Sequence, residues 1–202
     1  LSGLTTMMYL TTSTQKIYSF VLPTSCPSTI VDLSYAFYYS PYMNWDINSW
    51  NTANVTNMNQ TFFLCYRFNN KLTSWNTSNV TNMSQTFYNA YMLMNDLTNW
   101  TTANVTTMYE MFYSSYRFNG KVTNFSFEVC TNTEKMFYKN YNFNNNSVSN
   151  WDVSPLTILD SLFYECKSFN QDVSSWLSSS TNVTNLDSTF SGCSKFNQDL
   201  SS

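Results

Sequence analysis

Hydrophobic and aromatic residues return along this chain at intervals of 25 residues, with short insertions. An aromatic residue opens each unit, and the members of this series are Trp50, Trp75, Trp100, Phe125, Trp151 and Trp176. A fixed period of this length is typical of proteins that stack one supersecondary unit on the next. The pattern therefore predicts a repeat protein built of stacked coils.

Further columns of apolar residues keep the same phase and are assigned to the core. An aliphatic residue such as Val80 follows five positions after the aromatic residue, and a Met or Leu such as Met83 follows three positions later. Four positions further on stand Phe37, Phe62, Phe87, Phe112, Phe137, Phe163 and Phe190. Because one coil is too small to bury its apolar side alone, we expect these rings to lie one above the next in a dry column.

The spacing within a unit predicts its local structure. Apolar residues from Val80 to Ala90 fall at steps of three and four, which indicates a short helix or a run of tight turns. The segment from Leu93 to Trp100 is too short for a second helix and is typical of a brief strand and a turn. The predicted fold is an α/β repeat solenoid, with one short parallel strand and one short helix or turn run per unit, and strands about 4.8 Å apart.

The organisation of the domain follows from where the period holds. Residues 1–24 are out of phase but apolar, so they are predicted to form an N-terminal cap over the first core. Residues 25–202 are predicted to form a solenoid of about seven 25-residue repeats.

The repeat resembles a known family. Its motifs are Phe-Asn-Gln-Asp-Val-Ser-Ser-Trp at 169–176, Phe-Asn-Gln-Asp-Leu-Ser-Ser at 196–202 and Ser-Asn-Val-Thr-Asn-Met-Ser at 78–84. They are similar to the 25-residue repeat of BspA-like surface proteins, a divergent leucine-rich repeat known from Mycoplasma surface lipoproteins and other surface proteins. The resemblance covers residues 26–202 and implies a right-handed, leucine-rich-repeat-like solenoid that is secreted or displayed at the cell surface, without catalytic activity. Two departures from the family pattern, the Tyr-rich segments and the altered coil after Phe125, leave the binding surface unspecified.

Composition narrows the partners and the location. Charged residues make up 10% of the chain, the net charge is -3, and the nine Lys and Arg are scattered along the sequence. Nucleic-acid binding needs clustered cations, so no nucleic-acid partner is expected. No run of 18 apolar residues is present, so no membrane span is expected in this segment. The chain starts with Leu1, which indicates a processed or trimmed product, and signal-peptide removal after secretion is one explanation.

The inventory of reactive groups argues against an enzyme. The chain has no His, the commonest general base, and its three Gly form no phosphate-binding loop. Asp152, Asp160 and Glu165 fall in one coil, but carboxylates at such spacing are usually solvated surface. We therefore expect no catalytic residues, no metal site and no cofactor.

Two columns of tyrosines are the candidate binding surface. They flank the phenylalanine column and contain Tyr88, Tyr113 and Tyr138 on one side and Tyr66, Tyr91, Tyr116 and Tyr141 on the other. One interpretation is that the rings lie across the solenoid's own flank with their hydroxyls in water. The other is an exposed stripe that contacts a protein or glycan partner.

An alternating series of charges occupies one outward position of successive coils, namely Asp46, Lys71, Asp96 and Lys121. Opposite charges on adjacent coils attract by a few tenths to about 1 kcal/mol. The alternation is either chance in a polar column or a charge ladder that holds the register of the coils.

Asparagines recur where the chain turns, which favours hydrogen bonding to backbone groups as their role. They also create ten sequons for N-glycosylation, of which Asn145 and Asn182, in loops formed by insertions, are the preferred sites, with Asn59 as a further candidate. In a bacterial source these sequons would be silent.

Five cysteines cannot all pair within the chain. Cys65, Cys166 and Cys193 hold the same small position of their coils, which favours buried thiols. A Cys166–Cys193 disulfide is the alternative, if their Cα atoms approach within about 4.4–6.8 Å.

Two functions follow as hypotheses. The first is a structural component of a surface layer or fibre, assembling end to end by self-association or with other surface proteins. The second is an adhesin that uses the tyrosine columns against glycan or protein. A third and more remote alternative is ice binding through Thr52, Thr77 and Thr102 with Thr56, Thr81 and Thr106.

Overall fold

The computed structural model describes residues 29–179 and 182–200, with nothing said of the side chains of 177–179. The cap predicted for residues 1–24 lies outside the described residues. Helices are sparse in the described part of the chain, which contains a 3-10 helix at Asn146–Asn150 and one α-helix, α1, at Ser174–Ser179. The chain is therefore organised by contacts between successive coils.

The phenylalanine column predicted from the period is confirmed. Ring centroids of successive members lie 5.1 to 5.9 Å apart. Phe62, Phe87 and Phe112 are fully buried, and their ring planes are within 10° of each other. Each ring thus uses its two faces to contact the coil before and the coil after.

The tryptophans form a second buried column beside the first. The rings of Trp50, Trp75 and Trp100 are stacked with centroids 6.4 and 6.2 Å apart. Each indole N–H needs an acceptor when it is buried, and the Nε1 of Trp75 donates to the carbonyl of Ile47 at 2.9 Å. Trp100, Trp151 and Trp176 make the same bond to the preceding coil. The polar atom of the largest side chain therefore links adjacent coils.

Backbone pairing between coils occurs in the Val-Thr-Asn-Met segment. Parallel bridges join Asp32 to Asn57, Asn57 to Asn82, Asn82 to Thr107, and Thr107 to Asn132, with a further bridge from Ile158 to Asn185. In the described residues these bridges are isolated, and they do not extend into strands of two or more paired residues. The leucine-rich-repeat class and the right-handed sense of the coil stay predictions.

The short strand predicted between Leu93 and Trp100 is in the wrong place. Side-chain amides take most of the inter-coil bonds there: the Met94 N–H donates to Asn69 Oδ1 at 2.9 Å, and Asn95 Nδ2 donates to the Asn69 carbonyl at 2.7 Å. The same arrangement joins Asn44 to Asn69 and Asn119 to Asn144. Because asparagine side chains satisfy these backbone groups, the segment runs as an asparagine ladder and not as a strand.

The segment from Met83 to Ala90 and its equivalents is a run of tight turns, one of the two structures its spacing predicts. In the coil of Met58, N–H groups of Thr61, Phe63 and Cys65 bond to carbonyls three residues back. The alternate N–H groups, of Met58, Gln60, Phe62 and Leu64, bond to carbonyls of the next coil. Gln60 and Leu64 have positive φ, 55° and 58°, and occupy the third position of their turns, where a type II turn requires it.

Candidate functional site

The first tyrosine column consists of Tyr66, Tyr91, Tyr116 and Tyr141, and we refer to it as the Tyr66 column. Its ring centroids are 4.8, 4.8 and 4.9 Å apart, and neighbouring planes differ by 6° to 8°. All four side chains are half-buried. The column is thus a regular row on the outside of the stack.

The second column, the Tyr88 column, is longer. It contains Tyr38, Phe63, Tyr88, Tyr113, Tyr138 and Tyr164, all half-buried, with centroids 4.5 to 5.0 Å apart. The two columns together are called the tyrosine face. The structure therefore aligns every tyrosine predicted as a binding residue with its equivalents in the adjacent coils.

The tight turns position both columns. Between Tyr88 and Tyr91 lie Asn89, with φ of 56°, and Ala90, which is fully buried. The inward Ala90 leaves the residues on either side of the turn directed outward, and the N–H of Met92 bonds to the Tyr66 carbonyl at 3.2 Å. The N–H of Asn142 bonds to the Tyr116 carbonyl in the same way. Backbone bonds thus fix the spacing of the Tyr66 column.

Stacking decides which parts of the rings a partner can reach. An inner ring such as Tyr91 is covered on both faces, by Tyr66 and by Tyr116. Ring edges and hydroxyl groups remain at the surface, and a phenol both donates and accepts hydrogen bonds. The face is therefore suited to hydrogen bonding along a row, and its inner rings offer no open face for a sugar to stack on.

The hydroxyls of Tyr66, Tyr91 and Tyr88 have raised pKa values and remain protonated at neutral pH. Burial, together with the neighbouring Tyr39, raises the pKa of Tyr66, and burial together with Tyr116 and Tyr66 raises the pKa of Tyr91. Burial, Tyr113 and the carboxylate of Glu110 raise the pKa of Tyr88 to about 12. Each hydroxyl accordingly keeps its proton for donation.

Cations border the Tyr66 column. The guanidinium of Arg67 lies 5.0 Å from the ring centroid of Tyr42, and the ammonium of Lys167 lies 4.5 Å from that of Tyr141. The Nη1 of Arg117 contacts the Met92 sulfur at 3.4 Å. Contacts between cations and ring faces are favourable, so Tyr141 of the column holds Lys167, whereas Arg67 and Arg117 are held by Tyr42 and Met92, next to the column.

From the sequence, Arg67 and Arg117 are placed beside the Tyr66 column, where two cations alone define no site, and Lys167 is the member of the row that sequence reasoning missed. The basic residues are scattered in the sequence. The segment that follows the column phenylalanine of each coil nevertheless contains Arg67, Arg117, Lys139, Lys167 and Lys195, together with the acidic Glu165. The available signal was the interval of 50 residues between Arg67, Arg117 and Lys167.

The charge ladder is exposed, but its members do not pair. In residues 29–179 and 182–200 the salt bridge that forms joins Lys135 to Glu134. Asp96 Oδ1 accepts a hydrogen bond from the backbone N–H of Lys121 at 2.8 Å, and Asp46 Oδ1 accepts from the N–H of Asn48 at 3.0 Å. Neither Asp46 with Lys71 nor Asp96 with Lys121 forms an ion pair among these residues, so the role of the ladder in holding the register stays a prediction.

The disulfide between Cys166 and Cys193 is not formed. Both are buried free thiols, as are Cys65 and Cys130. Cys166 Sγ donates to the Phe137 carbonyl at 3.0 Å, and Cys193 Sγ donates to the Phe163 carbonyl at 2.9 Å. Each thiol faces the preceding coil and is satisfied there. Burial raises the pKa of both thiols, to about 11 for Cys193.

The candidate glycosylation sites differ in accessibility. Asn145 caps the 3-10 helix and its Nδ2 donates to the Asn119 carbonyl at 3.0 Å, while Ser147 of its sequon is buried. Thr61, in the sequon of Asn59, is fully buried. Asn182 is exposed, and so is Thr184 of its sequon. Asn182 Nδ2 also donates to the preceding coil, to the Ser154 carbonyl at 2.9 Å, so the exposure of its whole sequon is what distinguishes it from the other two.

The two threonine columns proposed for ice binding differ in exposure. Thr52, Thr77 and Thr102 are buried and donate to carbonyls of the next coil. Thr56, Thr81 and Thr106 are exposed, and their hydroxyls donate to the carbonyl of the same position one coil earlier. Both columns therefore stabilise the stack, and ice binding stays a remote prediction.

The described ranges contain neither a cluster of metal ligands nor a helix that could cross a membrane. There, no group of three or more Cys, Asp or Glu side chains converges as metal ligands would. The helices among these residues are too short to cross a membrane.

Comparison with known proteins gives a family. The model described as "Mycoplasma protein of unknown function, DUF285" matches residues 24–125 and 117–202. No curated protein and no solved structure matches the chain. Two overlapping matches are what a model of several repeats produces on a longer array, and together they span the chain from residue 24 to its last residue. The chain belongs to this family, the Mycoplasma protein of unknown function DUF285.

Proposed function

We propose that the chain is a non-catalytic module of an extracellular or cell surface, and that it binds a partner along the tyrosine face. The observation that carries the proposal is the alignment of Tyr66, Tyr91, Tyr116 and Tyr141 into a half-exposed row at a spacing of 4.8 to 4.9 Å. A row of this kind repeats one hydrogen-bonding group at regular intervals, which suits a partner that is itself extended. A relation to BspA-like leucine-rich-repeat proteins is part of the proposal and supports its surface location.

A non-catalytic role agrees with the chemistry of the thiols. Catalysis by cysteine needs a thiolate, which a lowered pKa supplies. Burial instead raises the pKa of Cys65 and Cys166 well above the usual value, and raises that of Cys130 to about 11. These groups stay protonated and inaccessible at neutral pH, so their role is packing.

The test uses hydroxyl removal, because the stack must survive the change. Tyr91→Phe together with Tyr116→Phe keeps both rings and removes two hydroxyls from the centre of the row. The matched control is Tyr35→Phe with Tyr109→Phe, two tyrosines outside the columns. Labelled proteins are applied to an array of neutral and acidic glycans and to immobilised surface proteins of the source organism.

Each lost hydrogen bond costs about 0.5–1.5 kcal/mol, so the column variant should bind about 5- to 100-fold more weakly than the wild type. The control variant should bind like the wild type. Equal binding by all three proteins to every positive probe would refute a role for the Tyr66 column.

The second candidate is the structural module that assembles end to end. The observation that favours it is the apolar surface of the last described coil, where Leu186 is 48% exposed and a cavity of about 100 Å³ is lined by Trp176, Phe190 and Leu200. A further coil of the same pattern, whether it follows in the same chain or is brought by a second copy, would bury this surface. Sedimentation at increasing protein concentration tests it: Leu186→Asp should prevent growth of the sedimenting species, whereas a monomer at all concentrations would exclude this candidate.

A further inference from the structure

We propose that the tyrosine face binds a linear acidic polysaccharide, which lies along the Tyr66 column and is held by Arg67, Arg117 and Lys167. This inference rests on the proposed binding function of the tyrosine face and adds the chemical class of the ligand.

The cations are regularly spaced along the stack. Arg67 and Arg117 hold equivalent positions two coils apart, and Lys167, two coils further, takes the position of the column in its own coil. One step of the column measures 4.8 or 4.9 Å. Two steps therefore separate these cations by about 10 Å, twice the usual distance between neighbouring strands. The result is a sparse, regular row of positive charge parallel to the row of hydroxyls.

The three cations of the row form no salt bridge among the described residues. In the part of the chain that the structure describes, Arg67, Arg117 and Lys167 have no carboxylate at salt-bridge distance. They are exposed, and they contact Tyr42, Met92 and Tyr141 respectively. Side chains that are already ordered lose less conformational freedom when a ligand binds. The cations are thus available to an anion.

The charges beside the two columns differ. Burial and neighbouring tyrosines raise the pKa of Tyr88 and Tyr113, Glu110 raises both further, and Lys139 and Lys135 oppose it at Tyr113, so both signs of charge lie beside the Tyr88 column. At the Tyr66 column the charge in contact with a ring is the cation Lys167, over Tyr141. An anionic polymer is therefore attracted more strongly to the Tyr66 column than to the Tyr88 column.

The chemistry of the face favours a polysaccharide over a nucleic acid. Single-stranded nucleic acid binds by stacking its bases on open aromatic faces, but the inner rings of the Tyr66 column are covered on both sides. Duplex DNA carries a charge about every 1.7 Å, far denser than this row of cations, and the chain has a net charge of -3. A polysaccharide offers widely spaced carboxylates or sulfates together with hydroxyls that can exchange hydrogen bonds with tyrosines.

The experiment compares two charge-matched variants. Arg67→Gln with Arg117→Gln removes two cations of the row, and Lys71→Gln with Lys121→Gln removes two exposed cations from the same two coils, at the position of the charge ladder. Binding is measured to immobilised hyaluronan and chondroitin sulfate, with dextran as the neutral polymer and oligo-dT as the nucleic acid, at low and at physiological ionic strength.

We expect the wild type to bind both acidic polysaccharides, and to bind them less at the higher ionic strength. Because two weak, exposed ion pairs are removed, the arginine variant should bind about 2- to 30-fold more weakly. Its salt dependence should also be shallower, since it releases fewer counterions. The lysine variant should match the wild type, and Lys167→Gln added to the arginine variant should weaken binding further.

Three results would overturn the inference: equal loss in the two variants, equal binding to dextran, or tighter binding to oligo-dT. Failure of the proposed function itself gives a different pattern. If a neutral glycan or a protein binds and Tyr91→Phe with Tyr116→Phe weakens it, the face binds a partner but the acidic polysaccharide is wrong. If no probe responds to the tyrosine changes, both proposals fail.

Discussion

The stacking of successive coils predicts energetic coupling between neighbouring phenylalanines and none between distant ones. The perturbation is a double-mutant cycle in which Phe87 and Phe112 are each replaced by Leu, singly and together. The two rings are fully buried, 5.6 Å apart and within 10° of parallel. Leucine keeps most of the apolar volume, so the cycle isolates the contact between rings from the loss of burial.

The expected magnitudes follow from this geometry. A buried aromatic pair contributes about 0.5–1.5 kcal/mol beyond its buried area. Each single replacement also removes the contact with the other neighbour in the column, for example Phe62 at 5.2 Å from Phe87. We therefore expect each single variant to lose about 1–3 kcal/mol of unfolding free energy. The double variant should lose less than the sum, by about 0.5–1.5 kcal/mol.

The control cycle pairs Phe62 with Phe163, which are separated by three members of the column. Sites that share no partner usually add within about 0.3–0.5 kcal/mol, so no coupling is expected here. Unfolding in urea is followed by the fluorescence of the buried tryptophans, with the slope against urea compared among all variants. Additivity in both cycles, or equal coupling in both, would refute the reasoning that each coil contacts its immediate neighbours.

Three further predictions concern single positions. Gly192 has φ of 76°, and a Cβ there would lie 2.8 Å from Cγ of Glu165. Gly192→Ala should therefore lower the unfolding free energy by about 1–3 kcal/mol in urea titrations, whereas Ser191→Ala, at an exposed neighbour, should leave it unchanged. Met94 interrupts the asparagine ladder, so Met94→Asn should supply an acceptor for the Asn119 N–H. The unfolding free energy should then rise by about 0.5–1.5 kcal/mol, measured as a higher midpoint of thermal unfolding, and no gain over Met94→Ala would contradict this. Burial raises the pKa of Cys130 and Cys193 from 9.0 to about 11, so these thiols ionise at lower pH in the unfolded state than in the folded state. The unfolding free energy should therefore fall as pH rises from 9 to 11, and Cys130→Ala with Cys193→Ala should flatten that part of the pH profile.

The columns could be predicted from the sequence because, in a stacked repeat, core residues recur at the period of the repeat. Phe87 and Trp75 recur in phase with their equivalents, and both are buried where the pattern places them. The location of backbone pairing could not be predicted in the same way. Asn69 and Asn95 satisfy backbone groups with their amides, and a sequence pattern of apolar residues does not distinguish such a ladder from a strand.

Two other features carried too little signal. Positive φ is usually found at Gly or Asn. In this chain Gln60, Leu64 and Lys135 also have positive φ, and backbone hydrogen bonds within the turn and to the next coil hold them there. The row of cations was hidden because it skips every second coil. Met92 occupies the position of Arg67 in the coil between Arg67 and Arg117, so neighbouring repeats show no common charge.

On the proposed function, the buried column and the exposed face act together. The Phe62–Phe87 spacing of 5.2 Å and the Tyr66–Tyr91 spacing of 4.8 Å belong to the same two coils, so the core sets the distance between outward groups. One exposed ion pair contributes about 0.2–1 kcal/mol and cannot hold a polymer alone. Contacts that repeat on a rigid support raise the effective concentration of each next contact, so the whole row binds where a single coil would not. A core substitution that disturbs the spacing, such as Phe87→Leu with Phe112→Leu, should therefore weaken polymer binding although it alters no residue of the face.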